Sequence, residues 1–207
     1  MKLDFVHDIQ TSYRKVVQAM ARPGLVVDLA EEAGKLEPEG GCYPTTMLLA
    51  HMLLDTEVTF KVVSGEEAAV MTQFLNQTTY ARAVETEKAD YVFVLRDAVP
   101  EDVLHTLRNA KIGKLADPHH SATVIIEVES ISEAQGHGRG LRLRGPGIQT
   151  ASYVQLEPQP DWVELRAERN VEFPLGLDLL FMDAEHRLFA LPRTTQVERE
   201  EAGVWLT

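Results

Sequence analysis

Apolar residues recur along the chain with two periods, helical and strand-like, and their alternation predicts an α/β protein. Ile9, Tyr13, Val16, Val17 and Met20 fall at helical spacing between Asp8 and Ala21, and Arg22-Pro23-Gly24 stops that helix. Leu25–Leu29 is short and rich in valine, which predicts a strand. Glu31–Pro44 carries Gly34, Pro38, Gly40 and Gly41, a composition that breaks regular structure and predicts a surface loop. Thr45 or Thr46 then stands where a cap is needed for a helix over Met47–Leu54, whose apolar residues nearly surround it and imply deep burial. Val58–Val63 reads as a strand, and Ser64 with Glu67 three residues on is a capping-box pattern opening a helix to about Gln77. Tyr91–Leu95 and Ala122–Val128 are unbroken apolar runs on either side of a helix over Pro100–Ala110. Continuous hydrophobic strands alternating with helices predict a sheet covered on both faces. The glycine-rich stretch Gly136–Gly140 turns the chain before Leu141-Arg142-Leu143-Arg144, whose alternation predicts a half-exposed or edge strand. Leu175–Met182 and Arg187–Pro192 read as two further strands, paired as a hairpin about Asp183–His186. A single α/β domain over residues 1–207 is expected.

Composition narrows the function classes. With 44% hydrophobic and 25% charged residues the chain can bury a core. Its formal net charge of -12 argues against a broad nucleic-acid footprint. The basic residues that do cluster, Arg14, Lys15 and Arg22 in one place and Arg139, Arg142 and Arg144 in another, are suited either to a small anion or to pairing with nearby carboxylates. Asp4, His7 and Asp8 interrupt the start before an apolar signal region forms, and the apolar stretch near Met47–Leu54 falls well short of the roughly 20 residues that cross a bilayer. A cytoplasmic protein without a membrane span is the expectation. A single cysteine, Cys42, excludes an internal disulfide and an iron–sulfur cluster held by this chain alone.

Several short motifs could carry chemistry, each beside a structural alternative. Arg22-Pro23-Gly24 can grip an anion with amide and guanidinium donors, or simply end a helix. Gly145-Pro146-Gly147 lacks the endings of a phosphate loop or a dinucleotide fold and reads as a tight turn. His119 and His120, next to Asp117, do not make a zinc set by themselves, so no metal is expected. Cys42 has no local histidine to activate it, and Lys111 and Lys114 read as solvated amines. The sharpest constellation is near the end of the chain. Asp178 lies inside the apolar run Leu175–Leu180 and must find a partner, while Arg193, Thr194 and Thr195 follow the next strand. Hairpin pairing brings the two together, as a structural Asp178–Arg193 bridge or as part of a site.

These residues also carry a resemblance. Tyr13-Arg14 and Met20-Ala21-Arg22-Pro23-Gly24, then Leu141-Arg142-Leu143-Arg144-Gly145-Pro146-Gly147-Ile148, then Phe173-Pro174-Leu175-Gly176-Leu177-Asp178 with Leu191-Pro192-Arg193-Thr194-Thr195 and Val197-Glu198, are similar in order and spacing to the PhnH family. That family is the H subunit of the bacterial carbon–phosphorus lyase core complex, and the likeness covers nearly the whole chain except the Glu31–Pro44 loop, the Gly136–Gly140 stretch and the tail after Glu198. The resemblance implies a three-layer α/β/α sandwich with a mixed sheet, like the large domain of pyridoxal-phosphate transferases but without that cofactor or its lysine, and no cofactor of its own. It implies a homodimer when isolated and, as partners, subunits G, I and J. In the family, G, H, I and L attach a phosphonate to C1′ of the ATP ribose with loss of adenine, and J cleaves the carbon–phosphorus bond with its own cluster. It secures no catalytic residue for this subunit. Arg14, Arg22, Gly24, Arg142, Arg144, Asp178, Arg193 and Thr194 are therefore expected as anion-binding or interface positions. The competing expectation is a free-standing transferase or hydrolase of small phosphorylated or phosphonate substrates that uses Asp178 and the arginines directly.

Overall fold

The structure, a computed structural model, describes residues 3–37, 40–134, 140–159 and 161–200. The first half runs α1 (His7–Ala21), β1 (Val26–Asp28), α2 (Ala30–Ala33), α3 (Pro44–Leu53), β2 (Thr59–Val63), α4 (Ala68–Thr79), β3 (Arg82–Ala83), β4 (Tyr91–Val94) and α5 (Pro100–Asn109). The second half runs β5 (Ile112–Lys114), β6 (Asp117–Ser121), β7 (Thr123–Glu127), β8 (Ser130–Glu133), β9 (Gly140–Arg144), β10 (Ser152–Glu157), α6 (Val163–Arg169), β11 (Asp178–Met182), β12 (Arg187–Leu191) and β13 (Gln196–Glu200).

Among the described residues the main sheet has seven strands in the order β1-β12-β11-β7-β4-β2-β3. Its strands from β11 through β3 run parallel, and β12 runs against them, paired antiparallel with β11 on one side and with β1 on the other. Alternating side chains of these strands point to opposite faces, so each strand feeds two cores. Phe60, Val62, Phe93, Ile125, Leu180 and Leu188 face a layer made by α1 to α4, where Val16, Leu48, Met71 and Leu75 are buried. Val92, Val94, Val124, Ile126, Phe181 and Phe189 face the other side. There the cover is not helical alone. A four-stranded antiparallel sheet, β13-β9-β10-β8, lies beside α5 and α6 and contributes Ile131, Leu141, Leu143, Val154 and Leu156 to the second core. Phe181 stacks between Trp162 at 5.2 Å and Phe189 at 5.7 Å, a contact that adds to the area buried.

The mixed α/β architecture agrees with the hydrophobic pattern, and the hairpin is as expected, with Phe181 opposite Phe189 and Met182 opposite Leu188. Several local expectations change. The four-residue helix α2 sits where only a loop was expected, and Pro38 of that loop lies outside the described residues. Helix α3 starts at Pro44 and has no side-chain cap. Thr45 and Thr46 lie inside it, buried, with their hydroxyls bonded to His186 and Glu127. The Ser64–Glu67 capping box does not form: α4 starts at Ala68 with Glu67 as its N-cap residue and no side-chain cap. The Glu67 N–H donates to Ser64 Oγ at 3.0 Å ahead of the helix, while that hydroxyl donates to Asp97. Strand β9 is half-exposed, as one of the two expectations had it, but internal to its sheet rather than an edge, because β13 supplies a partner that lies far along the sequence. The Gly136–Gly140 turn falls outside the described residues except for Gly140. Among the described residues no helix is long and apolar enough to cross a membrane.

Candidate functional site

The Gly145-Pro146-Gly147 turn is where distant parts of the chain meet. Gly147 has φ +84, and a Cβ there would lie 2.2 Å from the Ala21 carbonyl, so the turn rests directly on the end of α1. Gly145 has φ +137, and a Cβ there would approach the Thr194 carbonyl to 2.9 Å, so the other side of the turn rests on the segment after β12. Gly24, buried next to Ser152 of β10, completes the contact. Only residues without a side chain permit both approaches. The end of α1, the turn after β9 and the segment after β12, far apart in the chain, thus share one junction.

Two hollows flank it. One, of about 460 Å³, is lined by Arg22, Gly24, Gly147, Ser152 and Tyr153. The other, of about 630 Å³, is lined by Pro146, Arg166, Phe173, Arg193, Thr194 and Glu198. Phe173 and Val171 stand 73% and 83% exposed at its rim.

Asp178 and Arg193 do meet. Asp178 Oδ1 accepts the Arg193 backbone N–H at 2.7 Å, and its two oxygens accept from the guanidinium, with Nε at 3.3 and 3.2 Å. Nη2 also donates to Asp178, and Nη1 donates to the carbonyls of Pro118 at 3.0 Å and Pro174 at 3.3 Å. The pair therefore ties the β5–β6 hairpin and the loop before β11 to the end of β12, and it leaves little of either group for a ligand.

Arg166 of α6 was not marked by any sequence signal, and it is the more deeply buried arginine. Its guanidinium donates to the carbonyls of Thr195 at 3.0 Å, Pro192 at 2.7 Å and Leu191 at 3.4 Å. Burial pushes its pKa down to about 10, while the charge of Asp178 opposes that shift. Its Nε and the Thr195 hydroxyl are buried without a hydrogen-bond partner. Asn170 closes the arrangement by donating to the carbonyls of Leu177 and Arg193 and accepting from the Leu177 N–H.

The other expected residues are more dispersed. Arg22 is exposed beside the junction, Thr194 is exposed on the second hollow, and Arg144 is exposed at the end of β9. Arg142 is half-buried, 3.6 Å from Glu198 on the neighbouring strand. Arg139 lies outside the described residues. Arg14 projects from the middle of α1, exposed, and no contact brings it to the junction among the described residues. Lys111 is paired with Asp90 at 2.5 Å rather than free. Cys42 is buried, its thiol pushed up to about 12 mainly by burial. His119 and His120 are exposed on strand β6, their rings 4.2 Å apart and tilted by 39° to each other.

At the far end of the parallel strands a second buried charge went unmarked. Glu127, the last residue of β7, accepts the Tyr43 N–H at 2.6 Å, the Thr46 hydroxyl at 2.5 Å and the Arg96 N–H at 3.0 Å. It joins the start of α3 to the ends of β4 and β7. A carboxylate ending the apolar run Thr123–Glu127 was the available signal.

Comparison with known proteins bears on the same residues. The family described as bacterial phosphonate metabolism protein (PhnH) matches residues 3–198. The "Putative C-P lyase subunit protein HtxG" of Stutzerimonas stutzeri is 30% identical over 198 residues, 93% of this chain and 87% of that protein. The "Alpha-D-ribose 1-methylphosphonate 5-triphosphate synthase subunit PhnH" of Rhizobium meliloti (strain 1021) is 26% identical over 199 residues, 95% of this chain and 94% of that protein.

Proposed function

Because this chain belongs to the bacterial phosphonate metabolism (PhnH) family, we propose that it is a subunit of a carbon–phosphorus lyase system for organophosphonate catabolism. The observation that carries this reading is the match over residues 3–198, together with relatives, matched over 87% and 94% of their own length, whose names describe a C-P lyase subunit and a ribose 1-methylphosphonate 5-triphosphate synthase subunit. On this reading the chain is needed for making α-D-ribose 1-phosphonate 5-triphosphate from ATP and an alkylphosphonate. It acts in the cytoplasm, as a homodimer when alone and with subunits G, I and J when assembled. The finer fold reading, a three-layer sandwich like the large domain of pyridoxal-phosphate transferases, is part of the same proposal, with the four-stranded sheet as an addition to one layer.

The role within that system is assembly and support of a shared pocket. Arg193 and Asp178 spend their hydrogen-bonding capacity on each other and on backbone carbonyls, and Arg166 does the same, which favours a scaffold over a self-sufficient reaction centre. Arg14, Arg22, Arg144 and Thr194 remain exposed, as a surface that meets partners or an anion requires. Arg142 and Gly24 hold that surface in place.

Co-purification tests the proposal. With subunits G, I and J expressed and tagged, the chain is expected to be retained, and Arg22→Glu with Arg144→Glu to reduce retention at least about tenfold by reversing charge at an interface. A chain that stays free of all three subunits overturns the assembly reading. Turnover of a phosphonate or phosphorylated compound by the isolated chain, lost in Asp178→Asn with the fold intact, establishes the free-standing enzyme instead.

A further inference from the structure

A cavity of about 360 Å³ opens beyond the carboxyl ends of β4 and β7, between α5 and the end of β10. Three features set it apart from the hollows at the junction. Its place is the first: in α/β sheets ligands lodge outside the carboxyl ends of parallel strands. Its lining is the second. Val94, Val103, Ile126, Leu156 and Trp162 give it apolar walls, and its volume falls in the range of small-molecule sites, at the small end.

Its charge is the third feature. Glu127, only 6% exposed, forms part of the wall, and Glu129 and Asp161 stand exposed at the mouth. Neither mouth carboxylate has an ion-pair partner among the described residues. Among the described lining residues Arg96 is the one cation; its guanidinium lies over the Tyr43 ring, 5.2 Å from the centroid, where it offsets part of the Glu127 charge and leaves the two mouth carboxylates unpaired. Apolar walls with acidic groups at the opening suit an apolar body that carries a positive charge. An anionic ligand would meet repulsion there, so this cavity does not suit a phosphonate or a nucleotide phosphate.

We infer that this cavity is a binding site for a small organic cation, an amine on an apolar and preferably aromatic body. The body lies against Val103, Ile126 and Trp162, and the ammonium faces Glu129 and Asp161. The inference does not rest on the assembly reading and stands or falls separately from it.

Trp162 lines the cavity, and Trp205 is the other tryptophan of the chain. In a Trp205→Phe chain all tryptophan emission therefore reports on this site. Three probes of similar size separate the contributions: phenethylamine, the neutral 2-phenylethanol and the anionic 3-phenylpropanoate. Phenethylamine is expected to change the emission saturably, with 3-phenylpropanoate at least about tenfold weaker. Glu129→Gln with Asp161→Asn is expected to weaken phenethylamine about tenfold while leaving the unfolding midpoint in place, since both side chains are exposed. Ala98→Phe, which fills the cavity from its wall, is expected to abolish the response. An absent or unsaturable response to phenethylamine overturns the inference. So does an equal response to all three probes, which marks an unselective apolar gap, or a response that survives Ala98→Phe in a folded chain.

Discussion

The two ends of the main sheet each contain a buried charge, and they handle it differently. At the junction end, Arg166 and Arg193 are surrounded by acceptors: carbonyls of Leu191, Pro192 and Thr195 for one, Asp178 with Pro118 and Pro174 carbonyls for the other. At the opposite end Glu127 is surrounded by donors, from Tyr43, Thr46 and Arg96, and beside it lies an apolar cavity. The first end uses charge to fasten the β5–β6 hairpin and the loop before β11 to the end of β12. The second uses charge to fasten regular elements and leaves space beyond them. The apolar cavity is thereby kept apart from the end where charge holds the junction together.

Removing Arg166 is expected to have the largest effect on this contrast. Arg166→Met keeps the apolar stem but removes the guanidinium donors from three carbonyls in a region where the residue is 2% exposed. Of these, the Pro192 carbonyl keeps another donor, the Thr195 N–H at 2.9 Å. An unsatisfied buried group costs about 1–3 kcal/mol, and relief of guanidinium desolvation returns part of the total. A net loss of about 3 kcal/mol in denaturant unfolding is expected. A loss below about 1 kcal/mol means that the carbonyls find water, and that the junction is held by packing alone.

Asp178→Ala is expected to rank next. It strands a guanidinium that is 19% exposed, so the cost of a broken buried pair, about 3–5 kcal/mol when fully enclosed, is reduced to about 2 kcal/mol. The double change Asp178→Ala with Arg193→Met is expected to recover about half of that loss, because no unpaired charge is then left behind. If the double variant is as unstable as the sum of the single ones, the two residues act independently and the bridge is not what secures the β5–β6 hairpin.

How much of this was legible in the sequence follows from the range over which each signal acts. Helices α1 and α5, the buried strands β4 and β7 and the β11–β12 hairpin were legible because periodicity and turn residues act over a few neighbours. So was the Asp178–Arg193 pairing, since a hairpin fixes its own partner. The four-stranded sheet was not: β9 reads as half-exposed or an edge until Gln196–Glu200 returns to pair with it, and β8, β10 and β13 were not among the strands that the hydrophobic pattern marked. Helix α6 is short, and Arg166 in it looks like any surface arginine until three carbonyls converge on it from the far side of β12. Charges that satisfy distant backbone leave no local pattern. The junction at Gly145–Gly147 was readable as a turn, but the surfaces pressed against it come from elsewhere in the chain.

Glu127→Gln is expected to give the smallest change, and its pH dependence sharpens the comparison. Burial raises the Glu127 pKa above the ordinary carboxylate value of 4.5, and the donors from Thr46, Tyr43 and Arg96 only partly oppose it. The folded state therefore holds a proton that the unfolded chain has released, over the interval from 4.5 up to the raised value. The sign follows: this group's contribution is fully present below that interval and is lost as pH rises through the folded pKa. The amide introduced by Glu127→Gln does not titrate, so the variant is expected to lack this part of the fall in stability as pH rises above 4.5. At acidic pH it is expected to cost about 1 kcal/mol, because an amide –NH2 cannot accept the Arg96 N–H. Denaturant midpoints measured at several pH values for both chains check this. Parallel curves would mean that the donors outweigh burial and Glu127 stays ionised throughout, making this end as fully compensated as the junction.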